Sequence, residues 1–147
     1  MNEVIILMGI QGSGKSTFYK ERFVDTHIRI NLDMLKTRHR ERCIVEACLH
    51  AKQSFVVDNT NPTRADRRRY IEPARAAGFR VVGYYFQSQV DVCQRRNEKR
   101  PGRQAIPMEG LLATHRRLEV PSRDEGFDKL YAVRIAAKGR FVVRTLE

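Results

Sequence analysis

The sequence has few cysteines and lacks any long apolar run. Its three cysteines, Cys43, Cys48 and Cys93, are too few and too widely spaced to predict a disulfide framework or a zinc site. No stretch reaches the roughly 18 consecutive apolar residues of a membrane-spanning helix, and the N-terminal residues lack the basic start of a signal peptide. We therefore expect a cytoplasmic protein with reduced thiols.

Acidic residues are also scarce relative to basic ones. The 147 residues include 28 lysines and arginines against 17 aspartates and glutamates, which gives a formal net charge of +11. A surplus of this size favours a polyanionic partner such as nucleic acid, with a basic protein that has no such partner as the alternative. The length predicts a single domain over residues 1–147.

Short apolar runs alternate with helical patterns along the chain. Strands are predicted over residues 4–8, 28–31, 54–58, 80–86, 129–135 and 140–146, and helices over 15–23, 37–51, 61–78, 90–100 and 107–119. This alternation predicts an α/β fold with three layers, in which helices cover both faces of a mostly parallel central sheet. Pro73 is expected to kink or break its helix, and Cys43, Ile44, Ala47 and Cys48 are expected to form an apolar helix face.

The stretch GIQGSGKS, residues 9–16, follows the first predicted strand and opens the first predicted helix. It fits the phosphate-loop pattern G-x-x-x-x-G-K-[ST], in which backbone amides and a helix N-terminus bind phosphate. A glycine-rich turn with a surface lysine is the alternative. In this pattern Lys15 reaches the terminal phosphates of ATP and the Ser16 hydroxyl ligates Mg²⁺. The predicted nucleotide-binding residues are Gly9, Ile10, Gln11, Gly12, Ser13, Gly14, Lys15, Ser16 and Thr17.

Several enzyme classes share the P-loop NTPase fold that this loop indicates. The Asn-Lys-x-Asp motif of GTPases is missing, and the chain is short for a mechanochemical ATPase, so a kinase fits best. A kinase must orient an acceptor hydroxyl and accept its proton, and a carboxylate that follows a strand near the phosphate loop suits both tasks. Asp33 follows the second predicted strand and is the candidate base, with a helix N-cap as its alternative role.

A carboxylate and three polar residues lie at the end of the third predicted strand: Asp58, Asn59, Thr60 and Asn61. The carboxylate is predicted to hold Mg²⁺ through water and the polar residues to contact the acceptor, with turn chemistry as the alternative. Further along, Arg96 and Arg100 share a predicted helix face within a segment of about residues 93–105. We expect them to close over the triphosphate as a lid, with a solvated basic face as the alternative.

Several segments of the chain together resemble one known family. The segments are GIQGSGKST, INLDML, VVDNTNPTRADRRRYIEPARAAGF, CQRRNEKR and PSRDEGF. In this order they resemble the kinase domain of the polynucleotide kinase/phosphatase family. The resemblance implies an ATP-dependent enzyme of nucleic-acid repair that phosphorylates 5′-hydroxyl ends of DNA or RNA. It also implies that Asp33 is the general base, that the lid arginines lie within residues 96–100, and that residues 58–61 arrange the acceptor and the water shell of the metal.

The acceptor side is expected to be basic. One basic residue contacts the substrate phosphate in some members of the family, and Lys36, Arg38 and Arg40 compete for that role here. With Arg42 they form one basic cluster, and a second consists of Arg64, Arg67, Arg68 and Arg69. Both clusters follow strand ends and are expected to hold acceptor phosphates, with plain surface charge as the alternative. The phosphatase motif D-x-D-G-T is missing, so no 3′-phosphatase activity is expected.

Two other functions remain open. A small-molecule kinase, acting on a metabolite or a nucleoside, would share the fold but would need no extended basic groove. A nucleic-acid-binding ATPase would use the nucleotide site without Asp33 as a base. The substitution Asp33→Asn should therefore abolish the activity of a kinase and leave that of a nucleic-acid-binding adaptor intact.

Overall fold

The computed structural model describes residues 2–87, 93, 95, 98, 99 and 107–146. The strands are β1 (Glu3–Met8), β2 (Ile28–Ile30), β3 (Phe55–Asp58), β4 (Arg80–Phe86), β5 (Lys129–Ile135) and β6 (Phe141–Thr145). The helices are α1 (Lys15–Arg22), α2 (Leu32–Leu35), α3 (Arg38–Ala51), α4 (Arg64–Ala76) and α5 (Met108–Arg117). Short 3₁₀ turns cover Arg123–Glu125 and Ala137–Gly139.

One six-stranded sheet forms the centre of the fold, with the strand order β2-β3-β1-β4-β5-β6. Strands β1 to β5 are parallel, and β6 pairs with β5 in the antiparallel direction. Leu7, near the end of β1, pairs with Asp58 at the end of β3. Because parallel strands end at one edge of the sheet, the segments that follow β1, β2 and β3 meet there. The expected mostly parallel sheet is confirmed.

Both faces of the sheet are buried. Successive side chains of a strand point to opposite faces, so Ile6 packs with Tyr70 of α4 in one apolar cluster. Its neighbour Ile5 packs with Phe18 of α1 in the cluster on the other face. This burial explains the near-continuous apolar strands of the sequence. No helix in the described part of the chain is long and apolar enough to cross a membrane.

Helix α3 turns a different face to the core than the sequence predicted. Its buried residues are Glu41, Val45 and Cys48. The exposed ones include Cys43, Ile44 and Ala47, so the predicted apolar face is wrong except at Cys48. The reason is that Glu41 finds hydrogen-bond partners inside the fold. A satisfied carboxylate can therefore occupy a position that hydrophobic periodicity assigns to solvent.

Helix α4 continues through Pro73, so of the predicted kink or break, the break is wrong. Proline lacks the N–H that would bond to the preceding turn. However, Tyr70, Ile71 and Ala74 on either side of it are buried, and the carbonyl of Pro73 still accepts a hydrogen bond from the N–H of Ala77 at 3.0 Å. Packing before and after the proline therefore outweighs one lost hydrogen bond.

Candidate active site

The phosphate loop connects β1 to α1 at the carboxyl edge of the sheet. Gly12 and Gly14 have φ angles of 79° and 98°, in the left-handed region that favours glycine. Gly14 is the N-cap of α1 and supplies no side-chain cap, an arrangement that suits anion binding at a helix N-terminus. The Lys15 ammonium folds over the loop and donates hydrogen bonds to the carbonyls of Gly9 and Ile10, both at 2.8 Å. These contacts fix a positive charge at the loop.

Three polar side chains meet beside the loop. Ser16 Oγ donates a hydrogen bond to Asp58 Oδ2 at 2.9 Å. Arg29 of β2 donates to the same carboxylate oxygen at 2.8 Å and to Ser16 Oγ at 3.0 Å. Only 2% of the Asp58 side chain is exposed, so Arg29 supplies the charge that a buried carboxylate needs. Arg29 was not predicted from the sequence; the available signal was a charged residue in the middle of a short apolar strand.

Ser16 and Asp58 fit the Mg²⁺-binding role expected from the sequence. Hydroxyl and carboxylate oxygens are hard ligands, and Mg²⁺ at nucleotide sites combines one or two protein ligands with phosphates and water. Both side chains line one cavity together with Lys15. Among the residues that the structure describes, no three His, Cys, Asp or Glu side chains form a metal cluster. This donor set suits a metal that arrives with the nucleotide.

The cavity that holds these groups has a volume of about 190 Å³. Its lining residues are Gln11, Gly12, Lys15, Ser16, Asn31, Leu32, Asp33, Asp58, Asn59 and Thr60. The fold therefore brings Asp33 to the same cavity as Lys15 and Ser16. Asp33 lies exposed in the first turn of α2. Asn31 is the N-cap of that helix and accepts a hydrogen bond from the Met34 N–H at 3.0 Å, so it fills the alternative role considered for Asp33.

The residues after β3 join the phosphate loop to residues 31–35, which carry the candidate base Asp33 and which we call the acceptor segment. Asn59 Oδ1 accepts a hydrogen bond from the Leu32 N–H at 2.9 Å. Asn61 Nδ2 donates to the carbonyl of Leu7, at the end of β1, at 2.7 Å. The amides of Asn59 and Asn61 thus fix the two segments relative to each other, while Thr60 lines the cavity.

A buried carboxylate lies behind the acceptor segment. Glu41, 2% exposed, accepts hydrogen bonds from Arg38 Nη1 at 2.9 Å, Tyr70 Oη at 2.9 Å and Asn59 Nδ2 at 3.0 Å. Burial, and then the nearby Glu41 charge, raise the pKa of Tyr70, which keeps its hydroxyl protonated as a donor. Through Asn59 this network reaches the backbone of Leu32. It was not predicted from the sequence.

The second basic cluster divides into different environments. Arg67 is fully buried and forms two hydrogen bonds with Glu125, at 2.8 and 3.0 Å. Its remaining Nη1 donates to the carbonyls of residues 61, 62 and 119. The expected contact of Arg67 with acceptor phosphates is therefore wrong, because its guanidinium is enclosed. Arg64 pairs with Asp124 at 3.1 Å on the surface.

The three basic residues that compete for the acceptor phosphate differ in their surroundings. Lys36 is the C-cap of α2, with a φ angle of 76°. Arg38 is bound to the buried Glu41 network, and 47% of its side chain is exposed. Arg40 donates a hydrogen bond to the carbonyl of Leu35 at 3.3 Å. Of the three, Arg38 is the one that is joined to the network behind the acceptor segment.

The expected lid arginines, Arg96 and Arg100, lie outside the described residues. Within the expected lid segment the structure describes residues 93, 95, 98 and 99. Cys93 is fully buried, and its backbone carbonyl lies where a Cβ on Gly12 would collide with it. The start of the segment thus packs on the phosphate loop, and the lid itself stays a prediction.

A phosphate loop between the central strand β1 and the first helix of a parallel sheet defines a P-loop NTPase fold. The model of the AAA domain family matches residues 35–121. The chain belongs to that family.

The chain also resembles kinases in sequence. The bifunctional polynucleotide phosphatase/kinase of Schizosaccharomyces pombe is 30% identical over 137 residues, which cover 89% of this chain and 33% of the relative. The L-seryl-tRNA(Sec) kinase of Methanococcus maripaludis is 25% identical over 145 residues, covering 85% of this chain and 56% of the relative. The chain therefore spans about a third of the first relative and somewhat over half of the second. The resemblance to the polynucleotide kinase/phosphatase family is confirmed.

Among solved structures, a gluconokinase from Sinorhizobium meliloti superimposes with a TM-score of 0.62 at 22% identity. The match covers 91% of this chain and 83% of that structure, and it shows a common fold. Together the comparisons support a P-loop kinase, a phosphotransferase, and they leave its acceptor open.

Proposed function

We propose that this chain transfers the γ-phosphoryl group of ATP to a 5′-hydroxyl end of DNA or RNA. The observation that carries the proposal is that Asp33 lines the same cavity as Lys15 and Ser16 of the phosphate loop. A carboxylate beside a triphosphate site can orient a hydroxyl and accept its proton. The similarity to a polynucleotide phosphatase/kinase and the net charge of +11 support a polynucleotide as the acceptor.

In the proposed reaction, the loop amides and Lys15 hold the terminal phosphates of ATP. Asp33 accepts the proton of the 5′-hydroxyl while the 5′ oxygen forms a bond to the γ-phosphorus. The bond from that phosphorus to the β–γ bridging oxygen breaks, and ADP is released. Mg²⁺, held by Ser16 and through water by Asp58, would neutralise charge on the phosphates.

Other residues have supporting roles in the proposal. Thr60 contacts the acceptor from the cavity wall, whereas Asn59 and Asn61 act by placing the acceptor segment. One of Lys36, Arg38 and Arg40 contacts the acceptor phosphate. Arg96 and Arg100 close over the triphosphate as a lid. Four further expectations remain predictions: a single domain over residues 1–147, a cytoplasmic location, a role in nucleic-acid repair and the lack of 3′-phosphatase activity.

The test follows γ-labelled phosphate from Mg²⁺-ATP to an oligonucleotide with a 5′-hydroxyl, with the same oligonucleotide bearing a 5′-phosphate as the control acceptor. The wild-type chain should label the first and not the second. Asp33→Asn should lower the rate of transfer by about a hundredfold or more, which is the usual contribution of a general base, and should leave ATP binding unchanged. A variant that transfers at the wild-type rate would contradict the role of Asp33.

A kinase for a smaller or tRNA-linked alcohol is the second candidate. A small alcohol is favoured by the limited volume of the cavity, about 190 Å³. A tRNA-linked alcohol is favoured by the similarity to a seryl-tRNA kinase. In this case the label would appear on seryl-tRNA or on a member of a panel of nucleosides and metabolites, and on no oligonucleotide. A third outcome would identify a nucleic-acid-binding ATPase. In that case the chain would release free phosphate without labelling any acceptor, and Asp33→Asn would leave its binding to nucleic acid unchanged.

A further inference from the structure

A second, larger cavity lies beside the candidate active site, between helices α3 and α4. Its volume is about 410 Å³, within the usual range for small-ligand pockets. Its apolar wall consists of Val45 and Leu49 of α3 with Tyr70 and Pro73 of α4. We call this cavity the α3–α4 groove. It is set apart from the phosphate loop, because no loop residue lines it.

One side chain joins the α3–α4 groove to the cavity that Lys15, Ser16 and Asp33 line, which we call the catalytic cavity. Asn59 lines the catalytic cavity, and its Nδ2 contacts Glu41 at 3.0 Å and Tyr70 at 3.4 Å. Glu41 and Tyr70 both line the groove. A polymer whose end lies at Asp33 therefore has a neighbouring recess directly across Asn59.

The rim of the groove carries positive charge. Arg42 of α3 and Arg69 of α4 line it and are exposed. Among the described residues, neither forms an ion pair with a carboxylate. The Glu41 carboxylate is already satisfied by Arg38 and Tyr70, which leaves Glu46 as the exposed acidic residue of the lining.

The neighbouring arginines of α4 are used differently. Arg67 is enclosed with Glu125, and Arg68 lies 3.7 Å from Glu72 in another recess, which Asp124 and Glu125 also line. Sequence alone does not distinguish Arg67, Arg68 and Arg69. The fold directs Arg69 to the groove and the other two to carboxylates.

We propose that the α3–α4 groove binds a nucleotide of the acceptor strand downstream of its 5′ end. The apolar wall packs against the base, and Arg42 and Arg69 contact the phosphates on its two sides. An apolar wall with a cationic rim matches a nucleotide, which combines a flat base with fixed negative charge. The inference rests on the proposed function, because it assigns this recess to the same polymer whose end meets Asp33.

The experiment compares the wild-type chain with two variants, Arg42→Ala/Arg69→Ala and the matched control Arg68→Ala. Binding of a fluorescent single-stranded octanucleotide with a 5′-hydroxyl is measured by anisotropy at several salt concentrations. The double variant should bind about tenfold more weakly at low salt. Its log–log salt slope should fall in magnitude by about 1.4, since each single-strand phosphate contact contributes about 0.7. Arg68→Ala should match the wild type.

The kinetic readout separates the groove from the catalytic cavity. Transfer to an unphosphorylated nucleoside, which has neither a downstream nucleotide nor a phosphate for Arg42 and Arg69 to contact, should show the same KM in the double variant as in the wild type. Transfer to the octanucleotide should show a raised KM and an unchanged kcat. Circular dichroism verifies that each variant is folded, which is expected because all three arginines are exposed.

Two results would overturn the inference. Equal weakening by Arg68→Ala would show that general charge, not the groove, binds the strand. Unchanged octanucleotide binding in the double variant would show that the groove has another occupant, such as a protein partner. A wild-type chain that binds the octanucleotide through Arg42 and Arg69 but labels no 5′-hydroxyl end would refute the proposed function while leaving the groove as a nucleotide site.

Discussion

Arg29 and Asp58 form a charge-assisted hydrogen bond of 2.8 Å at the point where the candidate metal ligands meet. The same guanidinium also reaches Ser16 at 3.0 Å. In this arrangement an arginine from β2 balances the charge of the carboxylate that is proposed to hold Mg²⁺ through water. Arg29 thus ties the strand that leads to Asp33 to the helix that follows the phosphate loop.

We predict that Arg29→Gln destabilises the protein and that Mg²⁺ with ADP offsets part of the loss. Breaking a buried ion pair costs several kcal/mol; here we expect about 2 kcal/mol, because the Arg29 side chain is 27% exposed. Urea unfolding with and without Mg²⁺-ADP measures both effects. The control Arg134→Gln removes an exposed arginine of β5. Equal losses in the two variants would show that Asp58 does not depend on Arg29.

We predict that Glu41→Gln impairs use of the acceptor more than use of ATP. The Glu41 carboxylate accepts hydrogen bonds from Arg38, Tyr70 and Asn59. In the variant an amide NH2, which is itself a donor, replaces one of the accepting oxygens and would face another donor. The expected loss of unfolding free energy is about 2 kcal/mol. Because the network ends at Leu32 beside Asp33, the acceptor KM should rise while the Kd for ATP stays constant.

The control for this variant is Glu72→Gln, an exposed carboxylate of α4. It should change stability by no more than about 0.5 kcal/mol. If Glu41→Gln lost ATP and acceptor binding to the same degree, the network would support the fold in general and would not position the acceptor segment.

We predict that Glu125→Gln is among the most damaging single changes in the described part of the chain. It leaves Arg67, which is fully buried, with an unbalanced charge, at a cost of about 3–5 kcal/mol. Chemical denaturation measures the loss. The neighbouring change Asp124→Asn affects a surface pair with Arg64 and should have little effect. The double change Arg67→Leu with Glu125→Leu should recover part of the stability. If the double variant lost as much unfolding free energy as the two single variants together, that result would contradict the pairing.

We predict that one of the three thiols reacts in the native protein. Cys43 is exposed, whereas Cys48 and Cys93 are buried. Burial also raises the pKa of the Cys48 thiol, which keeps it in the less reactive protonated form. A thiol reagent should therefore add one equivalent to the folded chain and three after unfolding, and Cys43→Ser should abolish the native reaction. Protection of Cys43 in the folded chain would instead support the helix face predicted from the sequence.

The regular elements could be predicted because their signals are local. The strand predicted over residues 80–86 coincides with β4, since an apolar run bounded by a glycine and a polar segment fixes both ends. The glycines and lysine of the phosphate loop carry their geometry with them. By contrast, α2 is only four residues long, and it depends on the cap from Asn31, so no periodicity indicated it.

The buried polar residues could not be predicted because their partners are distant in sequence. Glu41 meets Tyr70, 29 residues away, and Arg67 meets Glu125, 58 residues away. Hydrophobic periodicity places both on a surface, and only the folded chain supplies the partners that make burial favourable. The same limit explains why Arg29 was missed and why Arg67 was grouped with its exposed neighbours.

The enclosed Arg67 also decides where the polypeptide can be cut. The matched family segment stops at residue 121, before Glu125, although that carboxylate lies against α4 in the middle of the segment. A fragment that ends at residue 121 would keep the fully buried Arg67 guanidinium and remove its counterion Glu125. Any shortened version that is meant to fold must therefore extend past residue 125, and it must also keep β1 and β5, which pair with β4 on its two sides.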